Sequence, residues 1–365
     1  MTEPSVVIVI VGGGLAGLCV ARRLHQAGTA FRLYEARARL GGRILTVDAD
    51  GQSSVDGFDL GPSWVWPAIQ PALAALISEL GLSTYPQFRS GDGLFERTAQ
   101  ETPVRVPGLA DDGLSLRIVG GTAALVTALA AQLPPEQLTV NAPVRTLART
   151  NHGVAVSVEA PDVHPYTVNA SKVVLAAPPR LLASMLDFIP LETPETLDRW
   201  RRTPTWMAAS AKFLAIYPRP FWRSAGLSGT AQSLAGPLGE IHDASTASGA
   251  YALFGFLSLS AEARSRLGVS AVQQACLDQL MRLFGSMAAD PLAVHLQDWT
   301  AEPWTATAAD RVLAGHPVPA VAPWSSTSWS DRLILAGSEA SPTDPGYLHG
   351  AVVAAEHAAR RAITR

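Results

Sequence analysis

The first forty residues alternate between apolar runs of strand length and one segment with helical periodicity. "VVIVIV" at positions 6–11 is continuously apolar and leads into three glycines. "LAGLCVARRLHQAG" then places apolar residues three and four positions apart, and a second apolar run, "AFRLYEA", covers 30–36. Apolar runs of this length are typical of strands buried on both faces, and a helix between two of them favours parallel pairing. The pattern therefore predicts an α/β fold that opens with a strand–helix–strand unit.

The segment "AASAKFLAIYPRPFW" at 208–222 is apolar on both faces when it is read as a strand. Lys212 interrupts it, although the chain has only one other lysine, Lys172, and otherwise uses arginine for positive charge. Full burial lowers the pKa of a lysine by up to about 3–5 units. Lys212 is therefore expected either to reach water from a strand end or to serve a buried site. Lys172 is expected to be a solvated residue at a strand end.

Composition narrows the class of protein. The chain has 365 residues, 48% hydrophobic and 16% charged, with a net charge of −3. This length allows two domains, or one large domain with an insertion. No basic stripe suggests a nucleic-acid or anionic-membrane partner, and no apolar run reaches the length of a membrane span. Two cysteines, Cys19 and Cys276, exclude a disulfide framework and a multi-cysteine metal site. A cytoplasmic protein without a metal is expected.

A dinucleotide-binding pattern joins the first strand to the helix. Three glycines fit G-x-G-x-x-G: Gly12, Gly14 and Gly17. In this pattern the first glycine permits a tight turn, the second lets a pyrophosphate approach, and the third lets the helix pack closely. The helix start at Leu15 and Ala16 would offer amide donors to the phosphates. Glu35 ends the second strand, where a carboxylate accepts from ribose hydroxyls. The unit predicts dinucleotide binding without choosing between NAD and FAD.

The segment "EARARLGGR" at 35–43 resembles the corresponding loop of the flavin-containing amine oxidase family, typified by the monoamine oxidases. Further segments are similar to that family in the same order: "DLGPSWVWP" (59–67), "NAPVRTL" (141–147), "KFLAIYPRPFW" (212–222), "LILAGSEAS" (333–341) and "GYLHGAVVAAEHAAR" (346–360). The resemblance implies FAD and an α/β fold in which a Rossmann-like FAD-binding domain is interleaved with a smaller α+β substrate domain. The expected boundaries are 1–65, about 119–180 and 330–365 for the first, and about 66–118 and 180–325 for the second.

The resemblance also implies roles for individual residues. Lys212 corresponds to the lysine that holds a water at flavin N5, Trp299 to the tryptophan that covers the flavin, and Tyr347 to one wall of the substrate cage. Glu35 would bind the adenosine ribose, and Glu339 would accept from the ribityl chain. The other positions expected to bind FAD are Ala36, Arg37, Gly42, Arg43, Gly61, Pro62, Ser63, Trp64, Val144, Gly337, Ser338, Leu348 and Ala351, besides Trp299 and Tyr347.

Several positions depart from the family pattern. Pro62 replaces a glycine. Ala308 and Ala309 align with the cysteine that carries a covalent flavin and with the second cage tyrosine. FAD is therefore expected to bind without a covalent bond. The candidates for a rebuilt aromatic wall are Trp64, Trp66 and Trp304. His349 replaces a glutamate and is expected to be a structural residue that points outward.

The favoured activity is oxidation of an amine by hydride transfer from its α-carbon to flavin N5, with molecular oxygen as acceptor and with imine and H2O2 as products. The expected partners are thus a small amine and oxygen. Two alternatives remain open at this point. One is a renalase-like, desaturase-like or porphyrinogen-oxidase-like flavoenzyme that acts on a nicotinamide or a C–C bond. The other is a protein that binds FAD without turnover.

Overall fold

The structure is a computed structural model, and it describes residues 8–109, 114–160, 163–312, 315–319 and 324–364. Within these ranges the α-helices are α1 (Leu15–Gln26), α2 (Pro71–Glu79), α3 (Ala123–Ala130), α4 (Pro179–Met185), α5 (Pro194–Arg202), α6 (Phe221–Ser224), α7 (Ala261–Leu267), α8 (Val269–Phe284) and α9 (Leu348–Ile363). Short 3-10 helices lie at Pro135–Gln137, Ser286–Ala289, Trp299–Ala301, Ala308–Arg311 and Ser338–Ala340.

The strands in the same ranges are β1 (Ile8–Val11), β2 (Phe31–Tyr34), β3 (Thr46–Val47), β4 (Phe58–Asp59), β5 (Thr84–Pro86), β6 (Asp92–Glu96), β7 (Val104–Val106), β8 (Leu116–Ile118), β9 (Leu138–Thr139), β10 (Val144–Arg149), β11 (Val154–Ala160), β12 (Val163–Ala170), β13 (Lys172–Leu175), β14 (Asp187–Ile189), β15 (Ala211–Tyr217), β16 (Leu227–Ser233), β17 (Leu238–Asp243), β18 (Tyr251–Leu257), β19 (Ala293–Asp298) and β20 (Leu333–Leu335). They form three main sheets, while β3 pairs with β4 and β5 with β8.

A parallel five-stranded sheet in the order β20-β13-β1-β2-β9 forms the central layer. Strand β1 is buried along its whole length. Helices α1 and α9 pack together against one face, with Leu18, Ala355 and Ala358 in the shared core. Apolar strands that are covered on both faces, joined by a helix, form this parallel arrangement. The predicted strand–helix–strand unit and the α/β class are confirmed.

The other face of this sheet is covered by a four-stranded sheet in the order β12-β11-β10-β14, together with α4 and α5. The fully buried rings of Trp200 and Trp329 lie in the core between them. Strand β14 and helix α5 therefore pack on the central sheet, although both fall within the part of the chain expected to belong to the substrate domain. The assignment of residues to two domains remains a proposal.

A seven-stranded sheet in the order β19-β15-β18-β17-β16-β6-β7 forms the second half of the molecule. Every residue of β15 is buried. Phe213 and Tyr217 face the core under α8, and Leu214 and Ile216 face a second core that includes Phe58 and Leu60. The prediction of a strand covered on both faces is confirmed.

Lys172 begins β13 as expected, but its ammonium group also makes hydrogen bonds within the protein. Its Nζ donates to the carbonyl oxygens of Arg361 and Thr364 at the C-terminal end of α9. A cation at this end of a helix satisfies carbonyls that have no partner within the helix. In the part of the chain that the structure describes, no helix is long and apolar enough to cross a membrane, and no cluster of His, Cys, Asp or Glu could hold a metal ion.

Candidate active site

A cavity of about 510 Å³ lies at the carboxyl ends of the parallel strands and extends to the seven-stranded sheet. It brings together these predicted positions: Gly12, Gly14, Leu15, Ala16, Glu35, Arg37, Gly42, Arg43, Gly61, Pro62, Ser63, Trp64, Lys212, Trp299, Gly337, Ser338, Tyr347, Leu348 and Ala351. The predicted positions that do not line it are Gly17, Ala36, Val144 and Glu339. Open α/β sheets place their ligands at this edge.

The glycine loop fits a phosphate group because of the space around each of its glycines. Gly12 has a φ of +107°, and a Cβ there would lie 2.8 Å from the carbonyl oxygen of Ala176. A Cβ on Gly17 would lie 1.9 Å from the carbonyl oxygen of Gly12, so only glycine lets α1 approach this closely. By contrast, a Cβ on Gly14 would meet nothing nearer than 4.0 Å and would point into open space. Gly14 thus leaves a cradle that a ligand can fill.

Glu35 closes the other side of this cradle. Its side chain is buried, and Oε2 accepts from the amide of Gly13 at 2.7 Å while Oε1 accepts from the amide of Arg37 at 2.9 Å. These bonds fix the carboxylate beside the glycine loop, on the cavity wall. Oε1 also accepts from the guanidinium of Arg37 at 3.5 Å, whereas Oε2 has a second lone pair. The group therefore keeps acceptor capacity for a ribose hydroxyl.

Arg37 connects this loop to a segment that follows β19. Its Nε donates to Glu302 at 2.6 Å, and its Nη2 donates to the hydroxyl of Thr305 at 2.7 Å. Trp304, beside Thr305, lines the same part of the cavity and lies under the guanidinium of Arg145 at 5.4 Å. Trp304 was a candidate for the aromatic wall at the substrate end, and the structure places it near the glycine-loop end instead.

Glu339 lies beneath the cavity rather than on its wall, and its expected contact with a ribityl chain remains a prediction. Its side chain is fully buried. Its two carboxylate oxygens accept from Arg43 at 2.7 and 3.1 Å, and they also accept from the Ser338 hydroxyl at 2.9 Å and the Trp206 amide at 3.3 Å. Protein donors therefore use the carboxylate, and Arg43 and Ser338 are the members of this cluster that face the cavity.

Two helix N-termini open into the cavity. Helix α1 begins at Leu15 and α9 begins at Leu348, and neither has a side-chain cap. Such termini present free amide donors and a partial positive charge, which favour anionic or electron-rich groups. FAD has a carbonyl-bearing flavin ring at one end and adenosine at the other, with a pyrophosphate between them. The open cradle at Gly14, the acceptor Glu35 and these two termini together fit FAD.

Lys212 lies on the wall formed by β15 and is only 2% exposed. Its Nζ donates to the carbonyl oxygens of Asp59 and Gly61 at 2.8 and 2.9 Å and to the hydroxyl of Ser63 at 2.7 Å. The same nitrogen lies 4.1 Å from the ring centroid of Phe254, in a cation–π contact. The alternative of a lysine that reaches water from a strand end is wrong.

Burial lowers the pKa of Lys212 to about 7, against the opposing effect of the Asp59 carboxylate. Around neutral pH the group therefore exists in both charge states. In the charged state all three N–H groups already have protein acceptors. A water held by Lys212, as the resemblance implies, would have to replace one of these acceptors or donate to the neutral amine.

Lys212 belongs to a row of side chains that runs across the sheet. It pairs with Phe256 on β18, and Phe256 pairs with Glu240 on β17, so the three side chains lie on one face. All three line the cavity. The carboxylate of Glu240 bonds the Nε2 of His242 at 2.6 Å, and this bond lowers the pKa of Glu240. An ionised carboxylate thus lies two strands from Lys212, or about 10 Å at the usual strand spacing.

Aromatic rings surround Tyr347. The ring centroids of Trp206, His316 and Trp66 lie 6.0, 4.8 and 6.4 Å from its own, and Trp66 and Trp206 line the cavity with it. Trp66 was one of the candidates for this wall. Trp64 lines the cavity further along, where it packs on Phe254 and Phe256.

Ala308 and Ala309 do not take part in this wall. Both are exposed, and they do not line the cavity. Their 3-10 turn is held by Asp310, which bonds the Thr307 hydroxyl and the guanidinium of Arg180. The wall near Tyr347 is therefore made by Trp66 and Trp206, and not by the segment that the alignment with the family indicated.

Trp299 follows β19 and is buried against the cavity. Its ring nitrogen donates to the carbonyl oxygen of Leu60 at 3.3 Å, and its amide donates to that of Ser210 at 3.1 Å. The preceding Asp298 accepts two bonds from Arg264, at 2.7 and 2.8 Å. The indole of Trp299 is thus fixed on the cavity wall from both sides. This suits its expected role of covering a planar ligand.

His349 points inward, so the expectation that it faces outward is wrong. It is 5% exposed, and its Nδ1 accepts from the amide of Leu73 at 3.4 Å. The reason is the contact between α9 and α2: α2 has no side-chain cap of its own, and the imidazole bonds one of its free amides. Burial lowers the pKa of His349. Its role is structural, as expected.

Several cavity residues were not predicted. They include Ala176–Pro178, Trp206, Met207, Glu240, Phe256 and Thr305. Ala176–Pro178 follow a parallel strand, and that position was a usable signal. The strand "LGEIHD" alternates Glu240 and His242 with apolar residues, which indicates a polar face but not a cavity. Trp206 lies in an irregular segment and carries no comparable signal.

The sequence model of the family described as flavin containing amine oxidoreductase matches residues 15–112 and 108–363. AofH of Mycobacterium tuberculosis, which carries the name of a flavin-containing monoamine oxidase, is 27% identical over 98% of this chain and 97% of its own. The putrescine oxidase of Kocuria rosea is 25% identical over 84% of this chain and 85% of its own.

Solved structures give the same result for the fold. A putrescine oxidase with bound putrescine has a TM-score of 0.81 at 23% identity and covers 99% of this chain and 100% of that chain. Cyclohexylamine oxidase from Brevibacterium oxydans IH-35A has a TM-score of 0.77 at 21% identity, with coverage of 98% and 99%. These similarities confirm the α/β FAD-binding fold.

The two glycines of the loop should respond differently to alanine. Gly17→Ala places a Cβ against backbone and should lower the free energy of unfolding by about 3 kcal/mol or more. Gly14→Ala should change it by less than about 1 kcal/mol, yet should weaken FAD binding at least about tenfold because the methyl fills the cradle. Denaturant unfolding and FAD titration check this pair. Unchanged FAD affinity in Gly14→Ala would place the phosphates elsewhere.

Proposed function

The chain belongs to the flavin-containing amine oxidoreductase family, and from this premise we propose that it oxidises an amine to an imine with molecular oxygen as acceptor. Family membership and its amine oxidase relatives make it an FAD-dependent oxidoreductase. The observation that supports the finer proposal is the continuity of one cavity from the dinucleotide loop at Gly14 to the wall formed by Lys212 and Tyr347. FAD bound along it would have its pyrophosphate at the first place and its flavin ring at the second.

When bound, FAD supplies the redox chemistry by accepting two electrons with the α-hydrogen of the amine and passing them to oxygen. The chain's own residues would hold it along the cavity. Gly14 and the start of α1 would contact the pyrophosphate, Glu35 the ribose, and the start of α9 at Leu348 the electron-rich edge of the ring. Trp299 would cover the ring.

On the substrate side the chain offers an aromatic wall and few titratable groups. Trp66, Trp206 and Tyr347 form an apolar surface that favours a neutral amine over a solvated ammonium ion. The titratable side chains of the cavity near it are Lys212, Glu240 and Tyr347. The imidazole of His316 packs on Tyr347 and Trp206 without lining the cavity. An amine that binds in its neutral form needs no general base, so this composition suits amine oxidation.

We assign to Lys212 the role of a fixed positive charge in the oxygen half of the reaction. A preorganised cation in a dry wall stabilises negative charge that develops beside it, without the reorganisation that water would need. Its three protein acceptors hold the ammonium group in one place. The charge is present below a pH of about 7 and is lost above it.

Glu240 suggests the class of amine. Its ionised carboxylate lines the cavity in the same row as Lys212 and is not needed to neutralise that lysine. A carboxylate at the far end of an amine site suits a second cationic group on the substrate. Relatives that are putrescine oxidases act on such a compound by name. We therefore favour a short aliphatic diamine.

The alternatives from the sequence differ in their substrates. A protein that binds FAD without turnover does not agree with membership of an enzyme family. A renalase-like, desaturase-like or porphyrinogen-oxidase-like activity is favoured by no observation at this site. Reduction of the bound flavin by an amine in the absence of oxygen would distinguish amine oxidation from these activities. The expected cytoplasmic location remains a prediction.

FAD should be released by acid. Both cysteines of the chain are buried outside the cavity, and burial raises the pKa of each thiol to about 12. Neither can act as the nucleophile of a covalent link. After precipitation with trichloroacetic acid the yellow colour should remain in the supernatant. Colour that stays in the pellet would overturn the prediction.

Lys212→Met should separate the two half-reactions. Reduction of bound FAD by the amine should stay within a small factor of wild type, while reoxidation by oxygen should slow by about one to three orders of magnitude because one preorganised charge is lost. Stopped-flow absorbance measures each half-reaction. Lys172→Met, the same change at the other lysine, is the matched control and should leave both rates unchanged.

A pH profile of the same variants provides a second check. The wild-type reoxidation rate should fall as the pH rises through about 7, where Lys212 loses its proton. The Lys212→Met rate should show no such step. A wild-type profile that is flat from pH 6 to 9 would argue against a charged lysine in this reaction.

Glu240→Gln should affect diamines and spare monoamines. Loss of one charge-assisted bond, worth about 1.5–3 kcal/mol, should lower kcat/KM for putrescine by about 10- to 100-fold. The value for butylamine should change by no more than about threefold. Glu159→Gln, at an exposed carboxylate paired with Arg145, is the matched control. Equal losses for both amines would contradict a role in binding the second cation.

A further inference from the structure

A second pair of charges lies behind Lys212. Asp59 on β4 and Arg117 on β8 have side chains that are 1% and 3% exposed, and the Arg117 Nη2 lies 3.8 Å from the Asp59 Oδ2. At this distance the two groups form an ion pair but no hydrogen bond. Neither side chain lines the cavity. The proposed reaction gives neither residue a part, although burial of charges is costly.

Asp59 is bonded directly to Lys212 through its main chain. Its carbonyl oxygen accepts from Nζ at 2.8 Å. Its carboxylate Oδ1 accepts from the hydroxyl of Thr46 at 2.6 Å and from the amide and hydroxyl of Thr122, both at 2.8 Å. These three bonds anchor the residue, and so they also hold the carbonyl that Lys212 needs.

The charges of the pair are incompletely satisfied. Among the described residues, no donor makes a hydrogen bond to the Asp59 Oδ2, and no acceptor bonds the Arg117 Nε. Arg117 does donate through Nη1 to the carbonyl oxygen of Ser245 at 3.2 Å. In a buried environment such charges act over several ångströms with little screening. Both are therefore able to influence the ammonium group of Lys212, which Asp59 contacts through its main chain and with whose charge Arg117 interacts.

We propose that Asp59 and Arg117 are positioning residues that set the charge state of Lys212 through opposed electrostatic effects, a proposal that rests on the function assigned to Lys212 above. Asp59 favours the ammonium form, and Arg117 favours the neutral amine. The pair would thus determine over which pH range the site contains a positive charge. Loss of either partner should move that range, and the direction depends on the partner removed.

The direction of each effect follows from the charges. Burial is the main cause of the lowered pKa of Lys212; the Asp59 carboxylate raises this pKa, and Arg117 lowers it further. The other elements packed against Lys212 bring few charges. Strand β17 brings Glu240 with its partner His242, two strands away, and the paired residues of β18 and β19, Phe256 and Gln297, are uncharged.

The chain offers a direct measurement because it contains only two lysines. Holoprotein labelled with [13Cε]lysine should give two lysine signals, and Lys172 serves as the internal reference. We expect Asp59→Asn to lower the pKa of Lys212 and Arg117→Gln to raise it, each by about one unit. Asp59→Asn keeps the size of the side chain, and Arg117→Gln keeps a polar but shorter one.

The opposite signs distinguish an electrostatic role from a structural one. If the variants only loosened the wall, water would reach Lys212 in both, and its pKa would rise in both. Shifts in the same direction, or no shift in either, would overturn the proposal. The control is the same pair of changes at a more exposed ion pair, Arg149→Gln and Asp331→Asn. These substitutions should leave the pKa of Lys212 unchanged.

The double variant Asp59→Asn with Arg117→Gln keeps the test decisive if Asp59→Asn alone does not fold. Removal of both charges leaves no unpaired ion behind. The pKa of Lys212 should then return close to the wild-type value, whereas a loosened wall would raise it at least as far as Arg117→Gln alone does.

The rate of flavin reoxidation, measured by stopped flow as a function of pH, distinguishes the proposal for this pair from the proposed role of Lys212. Opposed pKa shifts without a matching movement of the pH profile would support the pair and contradict the role of Lys212.

Discussion

The ammonium group of Lys212 must be satisfied inside the protein, and this requirement organises the site around it. A buried cation without partners would cost several kcal/mol. Three acceptors meet this need, and all of them come from the short segment 59–63. That segment is therefore held against β15, and the seven-stranded sheet is joined to the cofactor side of the molecule. Gly61 must be a glycine in this arrangement, because a Cβ there would lie 2.1 Å from the carbonyl oxygen of Arg43.

The loop that contains Arg43 is tied in turn to the other end of the chain. Arg43 bonds Glu339, 296 positions later, and Arg37 bonds Glu302, 265 positions later. The cavity therefore has its shape only when the N-terminal loop, the segment after β19 and the 3-10 helix at Ser338–Ala340 have all come together. Glu339 illustrates the result: its buried carboxylate orients Arg43 and Ser338 on the cavity wall, and it does not face the cavity itself.

The features that could be predicted from the sequence depend on neighbours along the chain. The strand–helix–strand unit, the crowded position of Gly17 and the burial of β15 follow from local patterns of apolar residues and glycines. The row from Lys212 to Glu240 could not be predicted, because it depends on how three strands pair in register. The same is true of Trp206 beside Tyr347. The orientation of His349 depends on a neighbouring helix that lacks its own cap.

The number of acceptors also explains why this position is a lysine in a chain that otherwise uses arginine. An ammonium group has three N–H donors, and the segment 59–63 supplies three acceptors. A guanidinium has five donors, so two would be buried without partners against the rings of Phe254 and Phe256. A guanidinium also stays charged at every physiological pH, whereas burial brings the pKa of Lys212 to about 7. Only lysine fits these three acceptors and can still lose its charge near neutral pH.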